Sequence, residues 1–516
     1  MNSVPPLNKN FTIAVIFIVS LSLSLMIIGK NASLHYSVMD LGLATHTFFG
    51  INDLEEYSRM LFGHIQPYLF LYASIWGLFK STYLIVLLQL FFLLSPIYYI
   101  FKKYNNISVI AYLLYFPLWF NALFDFHIDH LSIPILFGFF LAVENKKYLW
   151  AAVFSIALGF VKEIFILQTI MCGLYIIVHG YKSFNSNRKI IYIGLLTIVI
   201  GVYYFFISVN YISSQSSDIQ SFGIASGAYS WLGNSISEML WYLINNIVEI
   251  IIDILNTPRK VIYLIALFGA LGFVPLLSPG PLIVALPILA VSLLSSYQGY
   301  YGLGHHYTAG LIAPMIIAFA GGLPRAIAIW KRAGFSAKWF TPILLIGLLF
   351  AHIALSPSPI SRLFWSDKVW SYNYRAYIPT ERDRIIKKAI SDYIPAGLDI
   401  VVSVQNTLNL DSLMKRRQIL LFPDGVSNEK LSPFFSKGFQ SVDIEWRRVK
   451  ADYVILDIKR PWFINDQGCK WLYSECTDKE TAAEYLEWIS KSRKLMNIIF
   501  EKDGFLILSR DRDKTS

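Results

Sequence analysis

From Phe11 to Leu355, long apolar runs alternate with short polar gaps; beyond Pro357 the alternation stops. About 20 apolar residues in a helix cross a bilayer core. The runs are Phe11–Ile28, Tyr83–Phe101, Ile107–Phe120, Leu131–Val143, Tyr148–Val161, Ile164–His179, Ile190–Asn210, Val261–Leu277, Leu282–Ser296, Thr308–Leu323 and Phe340–Leu355. They predict a polytopic α-helical membrane protein of about eleven spans. The first run has no small-x-small cleavage site and many spans follow it, so it reads as a retained helix. Met239–Asn256 carries Asn245, Glu249 and Asp253 at a spacing of four, one polar stripe on an apolar helix, and is expected to lie flat at the outer interface.

Two segments break the alternation. Asn31 to Ser81 reads as a long outer loop of two partly apolar helices along the membrane, interrupted at Gly50 and Gly63–Pro67, and Tyr211–Ser237 is rich in Ser and Gly like a substrate-facing loop. The chain therefore divides into a membrane domain, 1–355, and a small soluble α/β domain, 356–516. In the latter, Thr380–Tyr393 has one apolar helical face, Ile400–Val404 and Tyr453–Ile458 are short strands, Thr481–Lys494 is a second helix, and Asn497–Phe500 with Phe505–Leu508 forms a terminal hairpin.

Charge orients this plan. Of 18 Lys/Arg before Pro357, twelve fall in the gaps on one side of the predicted spans, whereas of the 12 Asp/Glu only Glu144 does. Basic loops stay in the cytoplasm, so Lys102-Lys103, Lys146-Lys147, Lys182–Lys189 and Arg325–Lys338 mark the inner face of a cytoplasmic membrane, and the tail lies outside. The net charge of +10 then reflects topology and anionic headgroups rather than nucleic acid. Three cysteines without a CxxC exclude a metal ribbon; Cys172 is a small core residue, and Cys469 and Cys476, both in the outer tail, are expected to pair if the compartment is oxidising, with two free thiols as the alternative.

The outer face collects the candidate chemistry. Asp40, just after the first span, is either a helix N-cap for Leu41–Phe49 or a carboxylate whose pKa a hydrophobic surround raises until it serves as a general base. Asp125-Phe126-His127-Ile128-Asp129-His130 is a turn between spans; a regular helix would put Asp125 and Asp129 on one face and His127 opposite, so it is a solvated turn unless distortion lets it hold a metal. Lys162-Glu163 are adjacent ions at membrane depth that diverge by about 100° on a helix, so each needs its own partner. His305-His306-Tyr307 enters a span after the aromatic Tyr297–Tyr301 and could donate to a phosphate.

In order, Asp40-Leu41-Gly42, His64-x-x-Pro67, Asp125-Phe126-His127, Lys162-Glu163 and His306-Tyr307-Thr308 resemble the membrane proteins of the domain of unknown function 2079. In the tail, Ile394-Pro395 through Val402-Ser403, Arg416-Arg417 and Phe422-Pro423 are also similar. That family is similar in architecture to the GT-C glycosyltransferases, which place a catalytic carboxylate in the first outer loop and use polyprenyl-phosphate sugars. The resemblance implies Asp40 as the base and Lys162 and His306 at the donor phosphate, with His64, Asp125, His127, Glu163 and Tyr307 in support. Any divalent cation would be held by His64, Asp125, His127 or Glu163. GT-C enzymes often carry a second acid beside the first; here Leu41-Gly42 follow Asp40, with Asp53, Glu55 and Glu56 further on. Transport or lipid handling without covalent chemistry is the alternative, since ionised residues in broken helices serve transporters too. Clustering at one face favours an enzyme.

Overall fold

The computed structural model describes residues 7–42, 44, 45, 48, 64–182, 188–215, 228–233, 235–366, 372–395, 400–405, 408, 418–427, 450–460 and 479–510. Among the described residues, six helices, or stretches of helix, are long and apolar enough to cross a membrane: Lys9–Ala32, Thr82–Lys103, Glu163–Gly180, Arg188–Ile212, His306–Arg332 and Ala337–Leu355. A seventh is a bent pair, Asn106–Leu114 and Phe116–Leu123, kinked by 49°. The kink falls where Tyr115 is extended and Pro117 opens the next helix, the usual cause of a sharp bend. Four of the apolar runs appear as shorter helices: Ser132–Glu144, Tyr148–Gly159, Pro258–Gly269 and Leu282–Leu294.

We number the helices in chain order. In the first half α1 is Lys9–Ala32, α2 Leu69–Phe79, α3 Thr82–Leu94, α4 Pro96–Lys103, α5 Asn106–Leu114, α6 Phe116–Leu123, α7 Ser132–Glu144, α8 Tyr148–Gly159, α9 Glu163–Lys182 and α10 Arg188–Gln215. Then come α11 Ile236–Asn245, α12 Ile247–Asn256, α13 Pro258–Gly269, α14 Leu282–Leu294, α15 Ala309–Arg332 and α16 Ala337–Leu355.

The stripe-bearing segment 239–256 is therefore not one helix. It breaks at Asn246, whose side chain donates to Tyr242 O at 3.1 Å and whose backbone leaves the helical region. Asparagine competes with helical bonding in this way. Leu240, Trp241, Ile244, Ile247, Val248 and Leu255 all point outward, the apolar face an interfacial helix presents to lipid.

α15 is the central helix, buried along most of its length. α1, α10 and α16 pack around the periphery and expose rows of large apolar side chains such as Phe17, Leu25, Val199, Phe206, Ile346 and Phe350. α9 and α10 pack tightly along each other. A Cβ added at Gly173 would stand 2.8 Å from Gly194 O, and one at Gly194 the same distance from Gly173 O. Only glycine lets two backbones approach so closely, the small-residue packing of membrane helices.

Among the described residues the C-terminal domain holds a five-stranded sheet in the order β2-β1-β3-β5-β4, formed by β1 Val401–Val404, β2 Gln418–Leu421, β3 Tyr453–Asp457, β4 Asn497–Lys502 and β5 Phe505–Ser509. β2, β1 and β3 run parallel, and β5 and β4 complete the sheet antiparallel. Successive side chains of a strand face opposite sides, which sorts the core. Val402, Val404, Ile455 and Ile507 pack under helix α17, Glu381–Tyr393. Val401, Val454, Leu456 and Leu506 pack under helix α18, Lys479–Leu495. Cys469, Cys476, Asp53, Glu55 and Glu56 lie outside the described residues, as do Gly50, Gly63, Arg416, Arg417 and most of the Ser/Gly loop.

The domain is docked on the segment that leaves α1. Leu34 and Val38 are members of the α17-side core. Lys387 Nζ donates to Ala32 O at 2.8 Å, Arg460 Nη1 to Ser33 O at 2.8 Å, and Ser33 Oγ to Ala376 O at 2.7 Å. Cations and hydroxyls thus occupy the region where the last carbonyls of a helix lack partners. Arg460 is itself paired with Asp383 and lies 3.3 Å from Asp457. A Cβ on Gly29 would sit 2.0 Å from Tyr377 O, so α1 meets the tail backbone to backbone.

Candidate functional site

At the end of the bundle where α1 finishes and α3 begins, tied by Asn31 Nδ2 to Thr82 Oγ1 at 3.0 Å, four sequence islands meet. The first is a π-helical turn, Val38–Gly42, containing Asp40. Gly42 N donates to Ser37 O across five residues, at 3.2 Å. Such turns recur at functional sites because they displace one residue from regular register. Asp40 is not the N-cap considered above. Ser37 supplies the side-chain acceptor, to Asp40 N at 3.0 Å, and its Oγ donates to Asp40 Oδ2 at 2.9 Å. The other Asp40 oxygen lies 3.4 Å from His127 Nε2.

Asp125 holds that turn in place. Its Oδ2 accepts from Ser37 N at 2.7 Å; its Oδ1 accepts from Leu41 N at 3.1 Å and Phe126 N at 2.8 Å. Lys30, buried at the end of α1, donates to Leu123 O at 2.6 Å and to Phe124 O, and stands 4.7 Å from the Tyr36 ring. Gln89 fixes the next stretch, donating to Asn121 O at 3.1 Å and Asp125 O at 3.0 Å and accepting from His127 N at 3.2 Å.

Burial opposes the charge on Asp40, yet the His127 imidazole, the Ser37 hydroxyl and Lys30 together hold its carboxyl below the usual carboxylate range. This corrects the expectation of a raised pKa: polar neighbours outweigh the hydrophobic surround. Burial, and then the Asp40 charge, push Asp125 up to about 6. Two nearby carboxylates so separated adopt different roles. Asp40 is the one its neighbours hold ionised more firmly.

His306 closes the site from the start of the span that contains α15. Its ring stacks on His127, centroids 3.4 Å apart and planes within 11°. Phe124 lies against His127, His305 and His306 at 5.5, 5.1 and 5.3 Å, and Tyr307 lies 4.3 Å from His306. Lys162, in the break between α8 and α9, has Asp129, Glu163, Tyr300 and Asp40 as its electrostatic neighbours. Glu163 is already engaged, with His64 Nδ1 at 2.5 Å and Ile65 N at 3.1 Å from its two oxygens. Glu163 thus has His64 as a partner of its own, and Lys162 has Asp129 as its first electrostatic neighbour. Asp40, Asp125, His127, Lys162, Glu163, His64, His306 and Tyr307 all gather at this end.

The ligand set for a cation differs from the one inferred above. His64 and Glu163 satisfy each other, and Asp125 is spent on backbone amides. His127, Asp129 and His306 instead bring one ligand atom each within 4.8 Å of one another. The regular-helix argument fails here because the 124–127 segment is irregular and Ile128–Leu131 is a tight 3-10 turn. Lys30, Ser37, Gln89 and Tyr300 had no signal beyond being single polar residues beside apolar runs.

At the opposite end, by Lys103 and Asn145, a cavity of about 710 Å³ is lined by Tyr104, Glu144, Tyr175, His179, Ser278–Pro281 and Arg325, among others.

A multi-helix membrane domain with one polar cluster at its end, capped by a small α/β sheet domain, defines the class as a polytopic membrane protein. The chain belongs to the predicted membrane protein family DUF2079, whose family model matches residues 36–469. The match takes in the Asp40 turn, the histidine stack and most of the tail sheet. No curated protein and no solved structure matches the chain.

Proposed function

We propose that this protein is a membrane glycosyltransferase of GT-C-like architecture, transferring a sugar from a polyprenyl-phosphate donor to an acceptor at the outer face of the cytoplasmic membrane. The observation that carries the reading is Asp40. It is an ionised carboxylate on a braced turn just after the first helix, facing His127 and near Lys162. Asp40 takes the proton of an acceptor hydroxyl as that oxygen attacks the anomeric carbon. The bond from that carbon to the phosphate oxygen breaks, and the phosphate departs with its electron pair. Lys162 and His306 stabilise the developing anion, as fixed donors do for transition-state charge. Asp125 positions the base; His127, His64, Glu163 and Tyr307 shape the surroundings.

In this reading the seven long spans and the four shorter helices α7, α8, α13 and α14 make eleven crossings, with the tail outside. Alkaline phosphatase, active only outside, fused after Leu355 is expected to be active. An inactive fusion, with a cytoplasmic reporter active at the same point, would overturn the outer-face assignment and the enzyme reading with it. A transporter or lipid-handling role is the second reading, favoured by the cavity with Glu144 and His179 at the other end. Proteoliposomes that move a polyprenyl phosphate across the bilayer without consuming a sugar donor would decide for it.

A further inference from the structure

His127 reaches the site from the irregular loop after α6, Asp129 from the 3-10 turn that follows, and His306 from the start of another span. Asp129 Oδ2 and both ring nitrogens of His306 are buried and lack hydrogen bonds, and His127 Nε2 makes none beyond its 3.4 Å approach to Asp40. Asp129 and His306 are each only 5% exposed. A buried polar atom without a partner costs about 1–3 kcal/mol, and each of the three side chains brings one ligand atom within 4.8 Å of the others'.

We propose that His127, Asp129 and His306 bind a divalent transition-metal ion, zinc by ligand type. Two imidazole nitrogens and one carboxylate with a position left open is the three-ligand pattern of reactive zinc sites. Ligand atoms around a tetrahedral zinc lie about 3.3 Å apart, so atoms now within 4.8 Å must close by roughly 1.5 Å at most. The stacked imidazoles need to tilt toward each other to aim their lone pairs. The rings of Phe124 and Tyr307 provide the apolar wall that keeps such a site dry. The inference shares His127 and His306 with the transferase reading, and its test is separate because binding is measured without turnover.

The test uses the full chain freed of affinity histidines, stripped with chelator, given one equivalent of zinc, desalted and assayed by mass spectrometry for metal. One zinc per chain is expected in the wild type and in His179→Gln, an imidazole change at the far end. Asp129→Asn and His306→Ala should each weaken zinc about 100-fold or more and elute nearly metal-free. Because a variant can misfold, X-ray absorption at the zinc edge of the wild type supplies a second arm. It should show nitrogen and oxygen ligands with the outer scattering of two imidazoles. A wild type that keeps no zinc, variants that keep it, sulfur in the first shell, or retention of manganese but not zinc would each overturn the assignment.

Discussion

Asp125→Asn separates local bracing from global stability. The carboxylate accepts three backbone N–H bonds, two on Oδ1 and one on Oδ2. Asparagine keeps one oxygen, which serves Leu41 and Phe126 best where Oδ1 now lies. Its amide group then faces Ser37 N, donor against donor. Hydrogen bonds to charged groups contribute about 1.5–3 kcal/mol, so losing one should raise the opening equilibrium of the Asp40 turn about 10- to 150-fold. Globally the effect runs the other way, because burial disfavours the Asp125 charge and pushes its pKa up to about 6. Removing the charge relieves that cost, so the melting temperature should hold or rise. Hydrogen exchange should therefore quicken about 10- to 150-fold at Ser37 while β3 and β5 stay protected. Unchanged exchange at Ser37, or faster exchange throughout the chain, would refute the clamp.

Three further outcomes follow from the tail contact. Gly29→Ala forces a Cβ against Tyr377 O; overpacking of this kind costs about 1–3 kcal/mol, and limited proteolysis should release the tail domain sooner in the variant. Arg460→Met removes the donors to Ser33 O and the partner of Asp383, leaving a buried carboxylate unpaired, so thermal unfolding should drop by about 3–5 kcal/mol and the tail should undock first. His35, beside this contact, is held well below the usual histidine pKa by burial and then by Arg460. Undocked, it takes a proton near the ordinary value of about 6.5. Docking is therefore favoured above that pH and weakens as pH falls below it. Protease sensitivity of the tail should rise on acidification, and His35→Gln should flatten that dependence.

The apolar runs were legible because lipid demands length: α1, α9, α10 and α16 match their sequence segments closely. The tail's helices and hairpin were legible from period and turn residues. β2 was not, since Gln418–Leu421 is only four residues long, although Pro423-Asp424-Gly425 closes it with a turn, and Asn246 broke a helix that periodicity drew as continuous. The chemistry-bearing islands were found, but their division of labour was not. Spacing cannot tell that Asp125 grips amides, that His64 occupies Glu163, or that Asp129 rather than Asp125 stands with the histidines. Those assignments depend on an irregular loop meeting a π-helical turn, a tertiary fact. Lys30 and Gln89 were hidden for the opposite reason: one polar residue at or in an apolar helix looks like an anchor or an accident until its partner arrives from 32 to 94 residues away.

The direct test of the central reading is sugar transfer by purified Asp40→Asn in proteoliposomes fed a labelled polyprenyl-phosphate sugar. Asparagine preserves shape and the bond from Ser37 but cannot take a proton. Positioned general bases contribute about 10²–10⁴-fold, so turnover should fall by that factor while donor binding persists through Lys162 and His306. An Asp40→Asn protein that transfers sugar at the wild-type rate would contradict the account, because the proposed reaction would then have no base.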